Sequence, residues 1–129
     1  MKKNYLYTTA RILLGLMFTI FGLNGFLHFI PNPPSIPAPA LAFYVAMIQS
    51  HFSYFVFAVQ LVAGILLLLN RYVALAIVAL AGVIANIFAF HVTMWPQSLV
   101  PMPIVALVLW FAVAWSQRDR LVPLLFARS

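Results

Sequence analysis

The chain has 129 residues, of which 66% are hydrophobic and 6% charged, and its mean hydropathy is +1.09. A soluble fold of this length cannot bury so large an apolar fraction, so the composition indicates an integral membrane protein. The formal net charge is +6, but the cations stand in ones and twos at the ends of apolar segments. We therefore expect them to set topology and contact anionic lipid, with no nucleic-acid partner. The absence of cysteine excludes a disulfide, a thiol relay and thiolate ligation of an iron–sulfur cluster by this chain.

The first apolar run extends from about residue 12 to residue 30, close to the roughly 20 residues that cross a bilayer. A proline-rich connection follows, and Pro39 suits the first turn of a short helix over 39–49 that lies at the membrane interface or dips back into the bundle. The sequence at 38–40 has the small residues of a signal-peptide cleavage site. The preceding run is longer than the apolar region of such a peptide, so we expect a membrane span there.

Three further spans are predicted, over 52–69, 72–92 and 99–115. The second ends at a tight turn, Asn70-Arg71, and Pro101 and Pro103 fall in the first turn of the fourth. All Lys and Arg then lie on one side of the membrane, which predicts that both termini are cytoplasmic. The predicted fold is all-α: a single domain, residues 1–129, forming a four-helix transmembrane bundle with a short interfacial helix after the first span.

Polar side chains inside the spans are the candidate ligand-binding residues, because lipid does not satisfy their hydrogen bonds. They are Asn24, His28, Gln60, Asn86 and His91. The three amides lie at a similar depth, roughly 9 to 12 Å below the outer boundary at 1.5 Å per residue. Two interpretations stay open: hydrogen bonds that hold the helices together, or the floor of an outward-facing pocket with the histidines at its mouth. The spans contain no carboxylate, which disfavours a proton relay or a hard-cation site.

Two cofactors fit such a pocket to different degrees. A quinone carbonyl accepts hydrogen bonds from amide or imidazole donors, and its ring and tail prefer Phe and Leu surroundings. Haem between His28 and His91 is the weaker alternative, because interfacial histidines are common. A metal site would need His51 as a further ligand, and we expect none. No catalytic residue is predicted.

Small residues form two stripes that predict close helix packing. One comprises Gly15, Thr19 and Gly22 on the first span, nearly opposite Asn24. The other runs along the third span at residues 74, 81, 85 and 89, all alanine. The glycine stripe is expected to face the centre of the bundle or another subunit.

Three segments and two single residues together resemble the DoxX family of membrane proteins. They are RILLGL at 11–16, GLNGFLHFIP at 22–31, LVAGILLLLNRY at 61–72, and Asn86 with His91. The resemblance covers roughly residues 6 to 118. It implies a four-helix protein of a prokaryotic inner (cytoplasmic) membrane and a role beside redox enzymes. Where relatives often carry an acidic residue in the second span this chain has Gln60, so the resemblance does not imply an enzyme.

The leading hypothesis is therefore an auxiliary subunit of a redox system that holds a quinone-like or other hydrophobic ligand, in the lipid bilayer and beside a redox enzyme partner. A small oligomeric transporter or pore is the alternative, and homo-oligomers would provide its solute path. A purely structural or assembly protein is the third.

Overall fold

A computed structural model describes residues 5–29, 36–98 and 102–127, and every regular element in these ranges is a helix. The long elements are α1 (Tyr5–Leu27), α2 (Ala38–Gln49), α3 (Phe52–Leu69), α4 (Val73–Met94) and α5 (Met102–Ser116). A short α6 (Arg118–Leu121) follows, and 3-10 turns cover Pro96–Ser98 and Val122–Leu125. The all-α class is thus confirmed for the described part of the chain.

The helix bounds differ from the predicted spans mainly at the N-terminus. Helix α1 begins at Tyr5, seven residues before the predicted start at residue 12. The prediction used the continuous apolar run, which starts only after Arg11, whereas the helix also includes the more polar residues before it. Helix α1 ends at Leu27, three residues before the predicted 30, because His28 has a left-handed φ of 52°; residue 30 itself lies outside the described residues. The bounds of α3 coincide with the predicted 52–69, and α4 runs slightly past the predicted 92.

In the described part of the chain three helices, α1, α3 and α4, are long and apolar enough to cross a membrane. Helix α5 has 15 residues, about 22 Å of helix, and residues 99–101 of the predicted fourth span lie outside the described residues. The packing order is α1 on α3, α3 on α4, α4 on α5 and α5 on α1, while α2 contacts α3 and α4. Helices α1 and α4 therefore lie diagonally across the group.

The closest helix contact joins α1 to α3 through glycines. A Cβ built on Gly64 would lie 2.6 Å from the backbone N of Thr19, and one on Gly22 would lie 2.8 Å from the Cα of Leu61. Only a residue without a side chain allows the two backbones to approach this closely. The glycine stripe therefore faces α3 of the same chain. Of the two predicted positions, the centre of the bundle, rather than a contact with another subunit, is the one observed.

The alanine stripe of α4 behaves differently from the prediction. Its members are half-buried at 74 and 81 and exposed at 85 and 89. The core face of α4 instead carries larger side chains, with Ile77 and Leu80 fully buried. These side chains pack in one core with Leu14 of α1, Leu67 of α3 and Val113 of α5. The prediction of close packing along the alanine stripe is wrong within this chain, because the face of α4 that enters the core is a different one, with Val73, Ala76, Ile77, Leu80 and Ile84.

Candidate functional site

The five predicted site residues have different environments. Gln60 is 6% exposed, and Asn24 is half-buried. These two amides lie on α3 and α1, the most closely packed helix pair. Of the three amides predicted to form the pocket floor, Asn24, Gln60 and Asn86, only the first two are at least half-buried and come from helices in contact.

Asn86 lies away from the other amides. Its side chain is exposed, and its Nδ2 donates to the carbonyl O of Gly82, one turn earlier in the same helix, at 2.9 Å. At 100° per residue Asn86 stands opposite Ile77, which is fully buried. The side chain therefore faces outward from the helix group, and the expectation of three amides in one pocket floor is not met at this residue.

His28 ends helix α1. Its φ is 52°, in the left-handed region, and its backbone N–H donates to the carbonyl O of Asn24 at 2.8 Å. This is the single-bond left-handed cap of a helix C-terminus, a position that His tolerates better than most residues. The imidazole is exposed. The backbone thus gives His28 a local structural role that the hydropathy pattern does not reveal.

His91 belongs to an aromatic cluster at the same end of the molecule. Its ring centroid lies 5.1 Å from that of Phe90 and 6.3 Å from that of Trp95, and Phe90 in turn contacts Phe43 of α2 at 5.4 Å. His28 directly follows α1 and His91 lies on α4, and these two helices are the diagonal pair. Among the described residues no group of three or more His, Cys, Asp or Glu could hold a metal ion.

His51 and Tyr54 form a second aromatic group at this end. The His51 ring stacks on Tyr54 at 5.5 Å, and Tyr54 stacks on Phe26 of α1 at the same centroid distance. His51 is exposed and, like His28, has a positive φ, 64°, between α2 and α3. Both groups are partly exposed rings around helix ends, an arrangement typical of an interfacial zone.

The opposite end carries a polar cleft that the sequence did not predict. Its volume is about 580 Å³, and its polar lining residues are Tyr7, Asn70, Tyr72, Gln117 and Arg120. They come from α1, the α3–α4 turn and the α5–α6 junction, so no single motif marks the cleft. The isolated cations and the Asn70-Arg71 turn were the only sequence signals at this end.

Arg11 binds the end of α3 just beside this cleft. The side chain is 8% exposed, and its guanidinium donates to the carbonyl O of Leu67 and, at 3.4 Å, to that of Leu68. A cation at a helix C-terminus is favoured by the helix dipole and satisfies carbonyls that have no partner in the helix. The turn beyond completes the cap, because Asn70 has a left-handed φ of 55° and Arg71 N donates to Leu66 O at 3.0 Å.

No protein-family model, curated protein or solved structure matches this chain. The likeness to the DoxX family therefore stays a prediction from the sequence segments that carry it.

Proposed function

We propose that this chain is a four-helix, multi-pass protein of a prokaryotic inner membrane, and that it serves as an auxiliary subunit of a redox system by packing α4 against another transmembrane helix. The redox setting rests on the resemblance of residues 11–16, 22–31 and 61–72. The helix contact rests on Asn86. No residue of the chain is assigned a catalytic role.

The distribution of cations supports the proposed orientation. Arg11 is on the second turn of α1, Arg71 lies in the α3–α4 turn, and Arg118 and Arg120 follow α5. All four are at the end where α1 and α4 begin and where α3 and α5 finish, and the histidines are at the other end. Positive charge collects on the cytoplasmic side of membrane proteins. Both termini are accordingly cytoplasmic in the proposal.

The outward face of α4 is the surface through which the subunit acts. It consists of Ala79, Gly82, Asn86, Ala89 and Thr93, which follow one another at intervals of three and four residues and are all exposed. The intervals place them on one stripe opposite the core face. A helix that faced only lipid would gain nothing from small or polar residues here.

Asn86 is the observation that carries the proposal. An asparagine has two N–H donors and a carbonyl acceptor, and its bond to Gly82 uses one donor. In hydrocarbon the remaining polar atoms cost free energy unless another polar group meets them. A neighbouring helix that approaches over Gly82 and Ala89 supplies such groups, as in small-residue contacts between membrane helices.

Cysteine cross-linking tests this contact, because the chain has no native cysteine. Among the described residues, no atom outside the adjoining backbone of α4 would lie within 4 Å of a Cβ at Gly82, so Gly82→Cys fits the protein without strain. Val108→Cys on α5 is the matched control, since Val108 is 61% exposed on a different helix. If the partner helix is a second copy, oxidation of native membranes gives a Gly82→Cys dimer and little Val108→Cys dimer.

Native mass spectrometry in mild detergent extends the test to a different partner protein. We expect the wild type to retain a second subunit at fixed stoichiometry, and Asn86→Leu to lose it while keeping its thermal midpoint. A strictly monomeric wild type, with equal cross-linking at positions 82 and 108, would contradict the proposed function.

The ligand of this proposed subunit is a quinone-like molecule held by the buried amide of Gln60. Gln60 is the better donor to a quinone carbonyl because it is almost fully enclosed, whereas the half-buried Asn24 lies on the face of α1 opposite the glycines that contact α3. The same spectra are expected to show a bound quinone that Gln60→Leu removes and Asn86→Leu retains. Quinone loss in both variants, or in neither, would count against Gln60 as the binding residue.

A further inference from the structure

The polar cleft at the cationic end is lined by side chains that donate hydrogen bonds. Tyr7 contributes a hydroxyl, Gln117 an amide and Arg120 a guanidinium. Val73 and Ala74, the first residues of α4, line the same cleft, and that helix has no side-chain cap. The first N–H groups of a long helix are unsatisfied within it and add positive potential.

The hydrogen bonds among the lining residues are long. Tyr7 Oη donates to Asn70 Oδ1 at 3.2 Å, Gln117 Nε2 donates to Tyr7 Oη at 3.4 Å, and Arg120 donates to Gln117 Oε1 at 3.3 Å. Such distances are at or beyond the upper end of the usual range for these bonds. A stronger acceptor could therefore replace them at small cost. The guanidinium of Arg120 has five N–H groups, and its bond to Gln117 uses only one.

The charge around the cleft is positive. Arg11 stands behind Tyr7, with its guanidinium carbon 5.8 Å from the centre of the Tyr7 ring. Its Nε has no hydrogen-bond partner among the described residues. The sole acidic residue of the chain, Asp119, is exposed and is not part of the lining. The cleft thus joins positive charge to several neutral donors, the combination that recognises an anion with several acceptor oxygens.

The segment after Arg120 is apolar and exposed. Leu124, Leu125 and Phe126 are 64%, 84% and 63% exposed, and Leu121 at its start packs against the core. Apolar side chains beside a cationic site fit the boundary between acyl chains and headgroups. The surroundings of the cleft therefore match a ligand that carries a phosphate on an apolar tail.

We propose that this cleft is a binding site for a phosphate group, recognised by Tyr7, Gln117 and Arg120. A phospholipid headgroup and a soluble phosphate share this chemistry. The site is separate from the outward face of α4, and its failure would leave the helix contact of Asn86 untouched.

The test titrates the full-length protein in mild detergent and 150 mM salt with three probes, and native mass spectrometry counts the molecules bound. Short-chain phosphatidylglycerol represents the lipid source, inorganic phosphate the soluble source, and a monoacylglycerol the same apolar tail without phosphate. Saturable binding of phosphatidylglycerol but not of the monoacylglycerol is expected. Saturable binding of inorganic phosphate at the same residues would also support the site and would assign its soluble source.

Two variants keep the net charge of the protein. They distinguish binding by specific hydrogen bonds in the cleft from non-specific attraction of an anion to a cationic surface. Tyr7→Phe and Gln117→Leu each remove one neutral donor, and we expect each to weaken binding by about fivefold. Arg120→Gln is expected to weaken it by about tenfold or more, because it removes a charge-assisted donor. Far-UV circular dichroism and the thermal midpoint verify that each variant is folded.

Arg118→Gln is the matched control for charge. Arg118 lies two residues from Arg120, but its guanidinium stacks on Trp115 at 4.6 Å and donates to Trp115 O, outside the cleft. Its loss should change binding by no more than about twofold at a salt concentration that screens exposed charges. Equal effects of Arg118→Gln and Arg120→Gln, with no effect of Tyr7→Phe and Gln117→Leu, would overturn the proposal. Absence of saturable binding of both phosphate probes would overturn it too.

Discussion

The contact between α1 and α3 and the outward face of α4 both carry small residues in apolar helices, yet their surroundings are opposite. Gly64 meets the backbone of Thr19, whereas an added Cβ at Gly82 has no atom within 4 Å in the described part of the chain, apart from the adjoining backbone of α4. Small residues thus mark where a helix can be approached closely, but they do not tell which chain supplies the neighbour. At α3 the neighbour is α1. At α4 it is, in our proposal, another subunit.

The largest effect that would test this comparison comes from a matched pair of glycine substitutions. Gly64→Leu forces a side chain into the backbone of α1, and overpacking of this kind should lower the free energy of unfolding by about 3 kcal/mol. Gly82→Leu makes the same chemical change in open space and should leave the monomer's stability within about 0.5 kcal/mol. Thermal or denaturant unfolding in detergent measures both.

Subunit association should depend more on Gly82 than on Gly64, the reverse of the order expected for stability. Gly82→Leu is expected to abolish the higher-mass species in native mass spectra while the fold persists. Similar losses of stability at Gly64 and Gly82 would show that the outward face of α4 is packed inside the chain, and the comparison would fail.

Arg11 gives the next largest effect, because it strengthens the α1–α3 contact electrostatically. Replacing it by Met keeps most of the apolar stem but removes the donors to Leu67 O and Leu68 O. We expect a loss of about 1 to 2 kcal/mol in unfolding free energy, since hydrogen bonds from a charged group and the helix dipole both disappear.

Arg71→Met is the control for this substitution, because the exposed Arg71 lies in the turn after α3 and uses its backbone N–H, rather than its guanidinium, in the cap. The unfolding free energy of the Arg71→Met variant should differ from that of the wild type by less than about 0.5 kcal/mol. Equal losses in the two variants would indicate that only the net charge matters at this end of the molecule.

The sequence was sufficient to predict those features that depend on local chemistry. Hydropathy and the Asn70-Arg71 turn predicted the bounds of α3, and the absence of side chains at Gly15 and Gly22 predicted a close contact. The orientation of α4 was not predictable in the same way. Both its faces are apolar or small, so periodicity does not distinguish the core side from the outer side, and Asn86 was placed in a shared pocket although it faces outward.

The same reason explains what was missed at the ends of the helices. The polar cleft brings Tyr7 together with Asn70 and Gln117. These two residues lie 63 and 110 positions after Tyr7 along the chain. Of the three only Asn70 belongs to a segment that the sequence analysis singles out, and the packing of α1 with α3 and α5 places them side by side. His28 was predicted as a ligand from its chemistry, but its left-handed backbone at the end of α1 depends on where the helix stops.

The smallest effect concerns the core face of α4 and shows how that face differs from the outward one. Trp110 of α5 is half-buried there and donates from Nε1 to the carbonyl O of Ile77 at 2.9 Å. Trp110→Phe removes this bond between the helices and should cost about 1 kcal/mol in unfolding free energy without altering subunit association. Trp115→Phe, at a side chain 68% exposed, is the control and should cost less, because Phe still offers Arg118 a ring. If Trp110→Phe instead dissociated the complex while monomer stability held, the partner helix would lie on the α4–α5 side, and Asn86 would not mark the contact.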